Sequence, residues 1–497
     1  MENLLNTEQM RATDAHTIEA TKISSLELME KASKAFVQAF MSEYSEKFNT
    51  FAVYCGTGNN GGDGLAIARL LHEEGYRDIN VKIIRFTEKS GADFQANLEA
   101  LRSCKIPVQE ICDPSELGEE SAVLLIDAML GSGLNKPLSG KWAELVNKIN
   151  SWQKKVVAVD MPTGFRGEGP LHANDLVVRA KLAITFQRPK INFLLPDSAG
   201  FMEEFRVVDI GLEEAYLQNL ESPYKLIQKE DIVCRLKKRS NFSHKGTYGH
   251  ALIVAGSPET MGAALLSAEA CLYTGAGLTT ACIPEEGLNA LNSRSPEIMA
   301  LIRKADQDRE IKVEKYSALG IGPGLGTGDK SLRLLTKVMR SYSRPIVFDA
   351  DALNLIADNY ELVQLIPEGS ILTPHMKEFD RLFGEHKSWW ERLESGRDRA
   401  TTLGCTIVLK NRYTMIFLPD GRCLFNPTGS PAMASGGMGD VLTGVITSFL
   451  TQGYKPEDAA IAGVYIHGAV ADHSHDYVIP ASALLQKLPS KIADYLT

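Results

Sequence analysis

The first chemistry in the chain is concentrated in Val53-Tyr-Cys-Gly-Thr-Gly-Asn-Asn-Gly-Gly-Asp-Gly64, where glycines alternate with side chains that offer oxygen atoms. Gly56, Gly58 and Gly61 satisfy the spacing G-x-G-x-x-G, which suits close approach of backbone N–H groups to a phosphate at a helix start; a tight strand-to-helix turn would give the same spacing. Asn59, Asn60 and Asp63 go beyond what a turn needs, and they suit a polar ligand or a cation. Two further stretches have the same form, an apolar run ending in aspartate and then glycine: Ile126-Asp-Ala-Met-Leu-Gly-Ser-Gly-Leu-Asn-Lys-Pro137 and Val159-Asp-Met-Pro-Thr-Gly164. One strand-end aspartate alone reads equally well as a helix cap. Three such loops in succession point to a shared ligand at the carboxyl ends of parallel strands.

The second half has its own series. Ser243-His-Lys-Gly-Thr-Tyr-Gly-His250 and Gly322-Pro-Gly-Leu-Gly326 are glycine-punctuated, Val347-Phe-Asp-Ala-Asp-Ala-Leu-Asn354 ends an apolar run with two carboxylates, and Leu372-Thr-Pro-His-Met-Lys-Glu378 supplies a histidine. His375 has two readings, a structural histidine or a ligand. The richest stretch is Ser435-Gly-Gly-Met-Gly-Asp440, ahead of an apolar helical segment. Gly436, Gly437 and Gly439 would aim helix N–H groups at charge developing on a transferred phosphoryl group, with Asp440 placed as a base for a substrate hydroxyl. The plain alternative is a glycine-rich helix cap with Asp440 as the N-cap.

Such loops need parallel strands behind them. Short apolar runs near residues 51–54, 81–86, 122–126, 156–159 and 182–186 alternate with amphipathic stretches such as 64–74 and 92–103, and a second series follows at 251–255, 318–321, 345–348, 370–373 and 406–409. This is the pattern of α/β folds with parallel, doubly wound sheets. At 497 residues the chain exceeds one ordinary core, so two domains are expected, with a junction near 211–223 and no internal duplication. A net charge of −9 supplies no basic field for nucleic acid. The eight cysteines show no C-x-x-C pair and read as reduced packing residues. There is no signal-like N-terminus and no apolar run of about 18 residues, so no membrane association is expected and the cytoplasm is the default location.

N-N-G-G-D-G, I-D-A-M-L-G-S-G and V-D-M-P-T-G, in this order, closely resemble the NAD(P)H-hydrate epimerase domain, which implies a Rossmann-like fold over 1–218. By that resemblance Asn59, Asn60, Gly61, Gly62 and Asp63, then Gly131, Ser132, Gly133, Leu134, Asn135, Lys136 and Pro137, and Asp160 hold the hydrated dinucleotide. Asn60, Asp127 and Thr163 are implied to bind potassium. Asp160 is the implied acid/base group for inversion at the hydrated ring carbon. Lys190 is a second candidate, the alternative being a solvated loop lysine.

H-K-G-T-Y-G-H, G-P-G-L-G, F-D-A-D-A-L-N, L-T-P-H and G-G-M-G-D resemble the ADP- or ATP-dependent NAD(P)H-hydrate dehydratases of the ribokinase-like superfamily, over 223–497. The likeness implies that Lys410, Asn411, Arg412, Tyr413, Thr414 and Gly439 meet the adenine nucleotide, used with Mg2+, and that Ala263, Gly324, His375 and Asp440 meet the hydrate. Asp440 would deprotonate the ring hydroxyl for phosphorylation, and elimination of phosphate would complete a dehydration. Two stretches depart from the family pattern: Met376-Lys377 stands where Pro-Gly is usual, and Met438 where serine is usual. Rival readings are a kinase for a vitamin-type alcohol and a non-catalytic scaffold. The expected partners are small molecules, with a homo-oligomer implied by the resemblance.

Overall fold

Phe51–Cys55 is buried along its whole length, as a strand covered on both faces must be, and its apolar, β-branched and aromatic content suits that place. The computed structural model describes residues 1–45, 50–133, 136–303, 312–472 and 476–496. They divide into two compact units: 3–222 with 388–390, and 223–387 with 391–497 and the first two residues.

In the 3–222 unit seven strands form one sheet: β1 (Phe51–Cys55), β2 (Ile79–Ile84), β3 (Val108–Ile111), β4 (Leu124–Ala128), β5 (Lys155–Val159), β6 (Ala180–Phe186) and β7 (Met202–Val208). Their order is β3-β2-β1-β4-β5-β6-β7 and every pairing is parallel, the Rossmann-like arrangement. Strand order reverses between β1 and β4, which opens a crevice at their carboxyl ends. Helix α1 (Thr7–Thr21) starts at a reciprocal cap between Asn6 and Gln9, and α2 (Ser25–Glu43) at one between Ser24 and Glu27. Helix α3 (Asn59–Glu73) begins earlier than the apolar pattern at 64–74 indicates, so Asn59 to Asp63 form its first turn rather than a loop before it.

The glycines there serve close packing and not unusual dihedrals, since none of Gly56, Gly61, Gly62 or Gly64 has a positive φ. A Cβ on Gly61 would lie 1.9 Å from the Gly56 carbonyl oxygen, and one on Gly56 would lie 2.0 Å from that of Met129.

In the second unit, strands β8 (Tyr224–Leu226), β9 (His250–Val254), β10 (Leu278–Pro284), β11 (Met299–Arg303), β12 (Ala318–Ile321), β13 (Ile346–Phe348), β14 (Ile371–Leu372), β15 (Thr406–Leu409), β16 (Met415–Phe417) and β17 (Cys423–Phe425) lie in the order β8-β17-β16-β15-β14-β13-β12-β9-β10-β11. From β15 to β11 all neighbours are parallel, whereas β16 pairs antiparallel with β15 and β17. The reversal falls between β9 and β12. Helix α4 (Met438–Thr451) is buried almost throughout and packs in the core with Val347, Ile371 and Val408. Among the described residues no helix is long and apolar enough to cross a membrane.

Candidate functional site

In the 3–222 unit, the switch point gathers the ends of β1, β4, β5 and β6. Asp127 lies inside β4 and is 2 % exposed. Its Oδ2 accepts from the Thr163 N–H (2.7 Å), and its Oδ1 accepts from the Thr163 hydroxyl (2.7 Å) and the Met129 N–H (3.2 Å). Burial pushes its carboxyl up to about 6, against these hydrogen bonds. Thr163 accepts in turn from the Leu130 N–H at 3.0 Å, which ties the loop after β5 to the loop after β4. Asn60, on the first turn of α3, sits against Gly131, and its buried Nδ2 has no hydrogen-bond partner among the described residues. Asn60, Asp127 and Thr163 thus bring together a desolvated carboxylate, a hydroxyl and an unsatisfied amide. These are hard, mostly oxygen-bearing groups that suit an alkali cation.

Asp160 follows β5 directly, with φ +62°, a left-handed conformation that costs a non-glycine residue about 1 kcal/mol. Three donors converge on its Oδ1: Lys190 Nζ at 2.8 Å, the Thr185 hydroxyl at 3.0 Å and the Phe186 N–H at 3.2 Å. Lys190 is therefore no solvated loop lysine, being 9 % exposed and ion-paired. Both residues line a recess with Ser132, Gly167, Glu168, Phe186 and residues of α1, including Arg11 and Asp14. Asp63 is buried nearby. Desolvation first, then the charges of Asp160, Asp14 and Asp93, hold its carboxyl well above the usual range.

Asn59 is exposed, Gly61 and Gly62 are packed inside, Gly131 and Ser132 are partly covered, and Gly133, Lys136 and Pro137 are exposed. Leu134 and Asn135 lie outside the described residues. Arg11 and Asp14 were not anticipated from the sequence. Their spacing of three within a capped helix places them on one face, but nothing in the sequence shows what that face meets.

In the second unit the carboxyl ends of β12, β13, β14 and β15 converge on the start of α4. Asp349, 1 % exposed, accepts from Lys410 Nζ at 2.7 Å through Oδ1 and from the Thr443 hydroxyl at 2.8 Å through Oδ2. The next residue, Ala350, has φ +47°. Gly322, at φ +127°, leaves no room for a side chain, since a Cβ would lie 1.8 Å from the Asp349 carbonyl oxygen. Asp351 accepts from the Gly326 N–H at 2.8 Å, so the Gly322–Gly326 loop is fastened to this corner. Gly324 accepts at its carbonyl from Thr260, whose own carbonyl accepts from the Ala263 N–H, which unites these two predicted positions.

Gly437 caps α4 at φ +90°, and a Cβ on Gly439 would lie 3.4 Å from Lys410 Nζ. Asp440 is in the first turn. Burial, then the neighbouring Asp349, raise its carboxyl to about 6 although Lys410 opposes the shift. A carboxylate with a raised pKa and no ion pair among the described residues, beside an ammonium and a glycine-lined helix start, can take a proton from a hydroxyl as phosphoryl charge is neutralised.

Residues 410–414 form the turn between β15 and β16, where Asn411 accepts from the Tyr413 N–H at 2.7 Å and its buried Nδ2 has no partner among the described residues. His375 caps the helix Met376–Phe383, with Nδ1 accepting from the Glu378 N–H at 3.2 Å. The structural reading therefore accounts for Nδ1, and the other ring nitrogen, Nε2, lies 3.5 Å from the Glu378 Oε1. The ring is still half exposed at the carboxyl end of β14, beside Lys410 across an isolated bridge. The two departures also have places: Lys377 is exposed on that helix, and Met438 is buried with Val441 and Leu485, facing the core.

A family profile described as NAD(P)H-hydrate dehydratase matches residues 251–493, and one described as YjeF-related protein N-terminus matches residues 25–192. A bifunctional NAD(P)H-hydrate repair enzyme of Moorella thermoacetica is 33 % identical over 476 residues, covering 91 % of this chain and 88 % of the relative. Its counterpart in Coxiella burnetii is 32 % identical over 473 residues, 95 % of this chain and 94 % of the relative. Among solved structures, a ribokinase-like superfamily protein of Enterococcus faecalis is 30 % identical, with a TM-score of 0.52, over 56 % of this chain and 98 % of its own. The similarity spans both units at family-level identity, and the chain belongs to the bifunctional NAD(P)H-hydrate repair enzymes.

Proposed function

We propose that residues 1–218 epimerise the R and S forms of hydrated NADH and NADPH, and that residues 223–497 dehydrate the S form at the expense of ADP or ATP. The observation that carries this reading is the pair of separately built acid/base sites, one per unit, in a chain related along nearly its whole length to bifunctional repair enzymes.

In the first site the glycine-rich turn at Asn59 to Asp63 and the loop 131–137 receive the dinucleotide, with Arg11 beside Gly133 as a cationic partner for its phosphates. Asp160, fixed by Lys190, Thr185 and the Phe186 N–H, is the acid/base group for inversion at the hydrated carbon. Asn60, Asp127 and Thr163 would hold potassium, whose charge would compensate the buried carboxylate and steady the β4 and β5 loops.

In the second site Asp440 takes the proton of the ring hydroxyl as its oxygen attacks the terminal phosphorus of the nucleotide. Lys410, oriented by Asp349, and the N–H groups from Gly437 onward neutralise the charge on the transferring group. The new phosphate then leaves with the C–O bonding electrons while the adjacent carbon loses a proton, restoring the ring double bond. Phosphate leaves where hydroxide would not, so a kinase-type site performs a dehydration. The turn 410–414 receives the nucleotide, which arrives as its magnesium complex, and Ala263, Gly324 and His375 border the hydrate. Assembly with copies of itself belongs to the same proposal, and light scattering reads it.

The test is recovery of reduced-nicotinamide absorbance from purified S hydrate with ADP, ATP or no nucleotide. Recovery only with nucleotide, and no accumulating phosphorylated hydrate, is expected. A stable phosphorylated product, or no recovery with either nucleotide, contradicts the dehydratase assignment and favours a small-molecule kinase.

A further inference from the structure

Inversion at a carbon that carries a hydroxyl beside a ring nitrogen needs two proton transfers. The hydroxyl must leave as water, which requires a proton, and water must add from the other face, which requires its proton to be taken away. The ring nitrogen supplies and then recovers the electron pair, so the redox state is unchanged. Asp160 is suited to one of these tasks only. Its Oδ1 is fixed by three donors, which orients it as a proton acceptor.

The other wall of the same recess comes from α1, whose Met10, Arg11 and Asp14 line it together with Asp160 and Lys190. This helix is firmly seated. Its N-terminus carries a full cap, Thr13 and Thr17 on either side of Asp14 are completely buried, the Thr17 hydroxyl accepts from the Glu213 N–H at 3.1 Å, and His16 stacks on Tyr216 at 4.0 Å. Asp14 is thereby presented to the recess from a rigid element. Unlike Asp160, its carboxyl makes neither a hydrogen bond nor an ion pair with any described residue. We propose that Asp14 is the second proton-transfer group of the epimerisation, donating to the departing hydroxyl while Asp160 receives the proton of the incoming water.

The electrostatics agree with that division. Burial raises the Asp14 carboxyl to about 6, the Lys190 ammonium opposes the shift, and the charge of Asp160 adds to it. Asp14 can therefore still carry a proton close to neutrality. Asp63, Glu168 and Arg11 are the other described ionisable groups that line the recess or act on Asp14. The inference rests on the epimerase reading of this unit.

The experiment follows R-hydrate turnover in the full-length protein, with its own dehydratase and saturating nucleotide as the reporter, from pH 5 to 8.5 and with the uncatalysed epimerisation subtracted. S-hydrate turnover of the same samples serves as the control for folding and for the second site. The wild-type rate should fall as pH rises above about 6. Asp14→Asn should lower kcat for the R form roughly 10²-fold, abolish that pH limb and leave S-hydrate turnover unchanged. Asp14→Glu, which keeps the carboxyl, should recover the rate to within about tenfold and shift the limb. If Asp14→Asn keeps the wild-type kcat and pH limb while Asp160→Asn loses turnover, Asp14 only lines the recess and the inference fails alone. A raised KM with unchanged kcat, or Asp14→Glu as inactive as Asp14→Asn, overturns it equally. If Asp14→Asn and Asp160→Asn both turn over the R form normally, the epimerase reading itself falls.

Discussion

Each unit places an aspartate–lysine pair at the carboxyl ends of its parallel strands, Asp160–Lys190 at 2.8 Å in one and Asp349–Lys410 at 2.7 Å in the other. Each pair also sits at a left-handed, non-glycine backbone position, Asp160 itself and Ala350 next to Asp349. The use of the pair differs. In the 3–222 unit the paired aspartate lines the recess, so the lysine acts directly on the group proposed to exchange protons. In the second unit the paired aspartate is fully buried and serves as an anchor, which aims Lys410 at the glycine-rich helix start and leaves Asp440 without an ion pair among the described residues. A site that moves only protons can hold its carboxylate with a lysine. A site that handles phosphate needs the lysine facing the anion, with the base kept separate.

The largest expected effect probes that separation. Asp440→Asn should reduce nucleotide-dependent recovery from S hydrate about 10²–10⁴-fold and leave R-to-S conversion untouched. Because Asp440 must be ionised to act as a base and its carboxyl is raised to about 6, wild-type dehydration should rise with pH through that region and level off above it. A rate that is flat between pH 5 and 8 would assign the base role elsewhere.

Next comes the anchor. Asp349→Asn removes one partner of a buried ion pair and should destabilise the second unit by roughly 3 kcal/mol, read as a lowered denaturant midpoint, along with weaker nucleotide binding. Unchanged stability would make the pair a surface-like contact, against the near-complete burial of Asp349.

The glycine-rich turn offers an internal contrast. Gly61→Ala would push a methyl group into the Gly56 carbonyl and should cost about 1–3 kcal/mol or more, whereas Gly58→Ala, with nothing within 4 Å, should cost about 0.5 kcal/mol or less. Equal effects would mean that backbone freedom rather than close packing selects these glycines.

The last effect concerns potassium. Exchanging sodium for potassium at equal ionic strength should raise the stability of the 3–222 unit by about 1–3 kcal/mol, and Thr163→Val should abolish the difference. No ion preference in the wild type would leave Asp127 balanced by its hydrogen bonds alone.

The parallel α/β character was legible in the apolar runs, and the runs at 51–54, 156–159, 318–321 and 406–409 became strands close to those bounds. What escaped had physical reasons. Strands β3 and β7 lie at sheet edges and expose Gln109, Glu110, Glu203 and Glu204, so no apolar run marks them. In β10, Thr279 and Thr280 are buried yet polar, which breaks the hydrophobic signal. The site was legible wherever chemistry and glycine share a short stretch, as at Asp127, Asp160 and Asp440. Asp349 was visible as a strand-end carboxylate, but its service to Lys410, 61 residues away, is a tertiary fact. Asp14 and Arg11 were illegible for the same reason: an amphipathic helix shows that one face is covered, not that a recess lies beneath it. Met438, which stands where the family pattern has serine, is packed into the core.

The most direct measurement mixes two single variants. Given both hydrate epimers and ATP, Asp440→Asn alone should restore almost no reduced-nicotinamide absorbance, and Asp160→Asn alone should rapidly restore only the S fraction. An equimolar mixture of the two should restore the whole pool, because each contributes the site the other lacks. A mixture that stalls at the S fraction, or an Asp160→Asn protein that clears both epimers at the wild-type rate, would contradict two separate sites, one per unit.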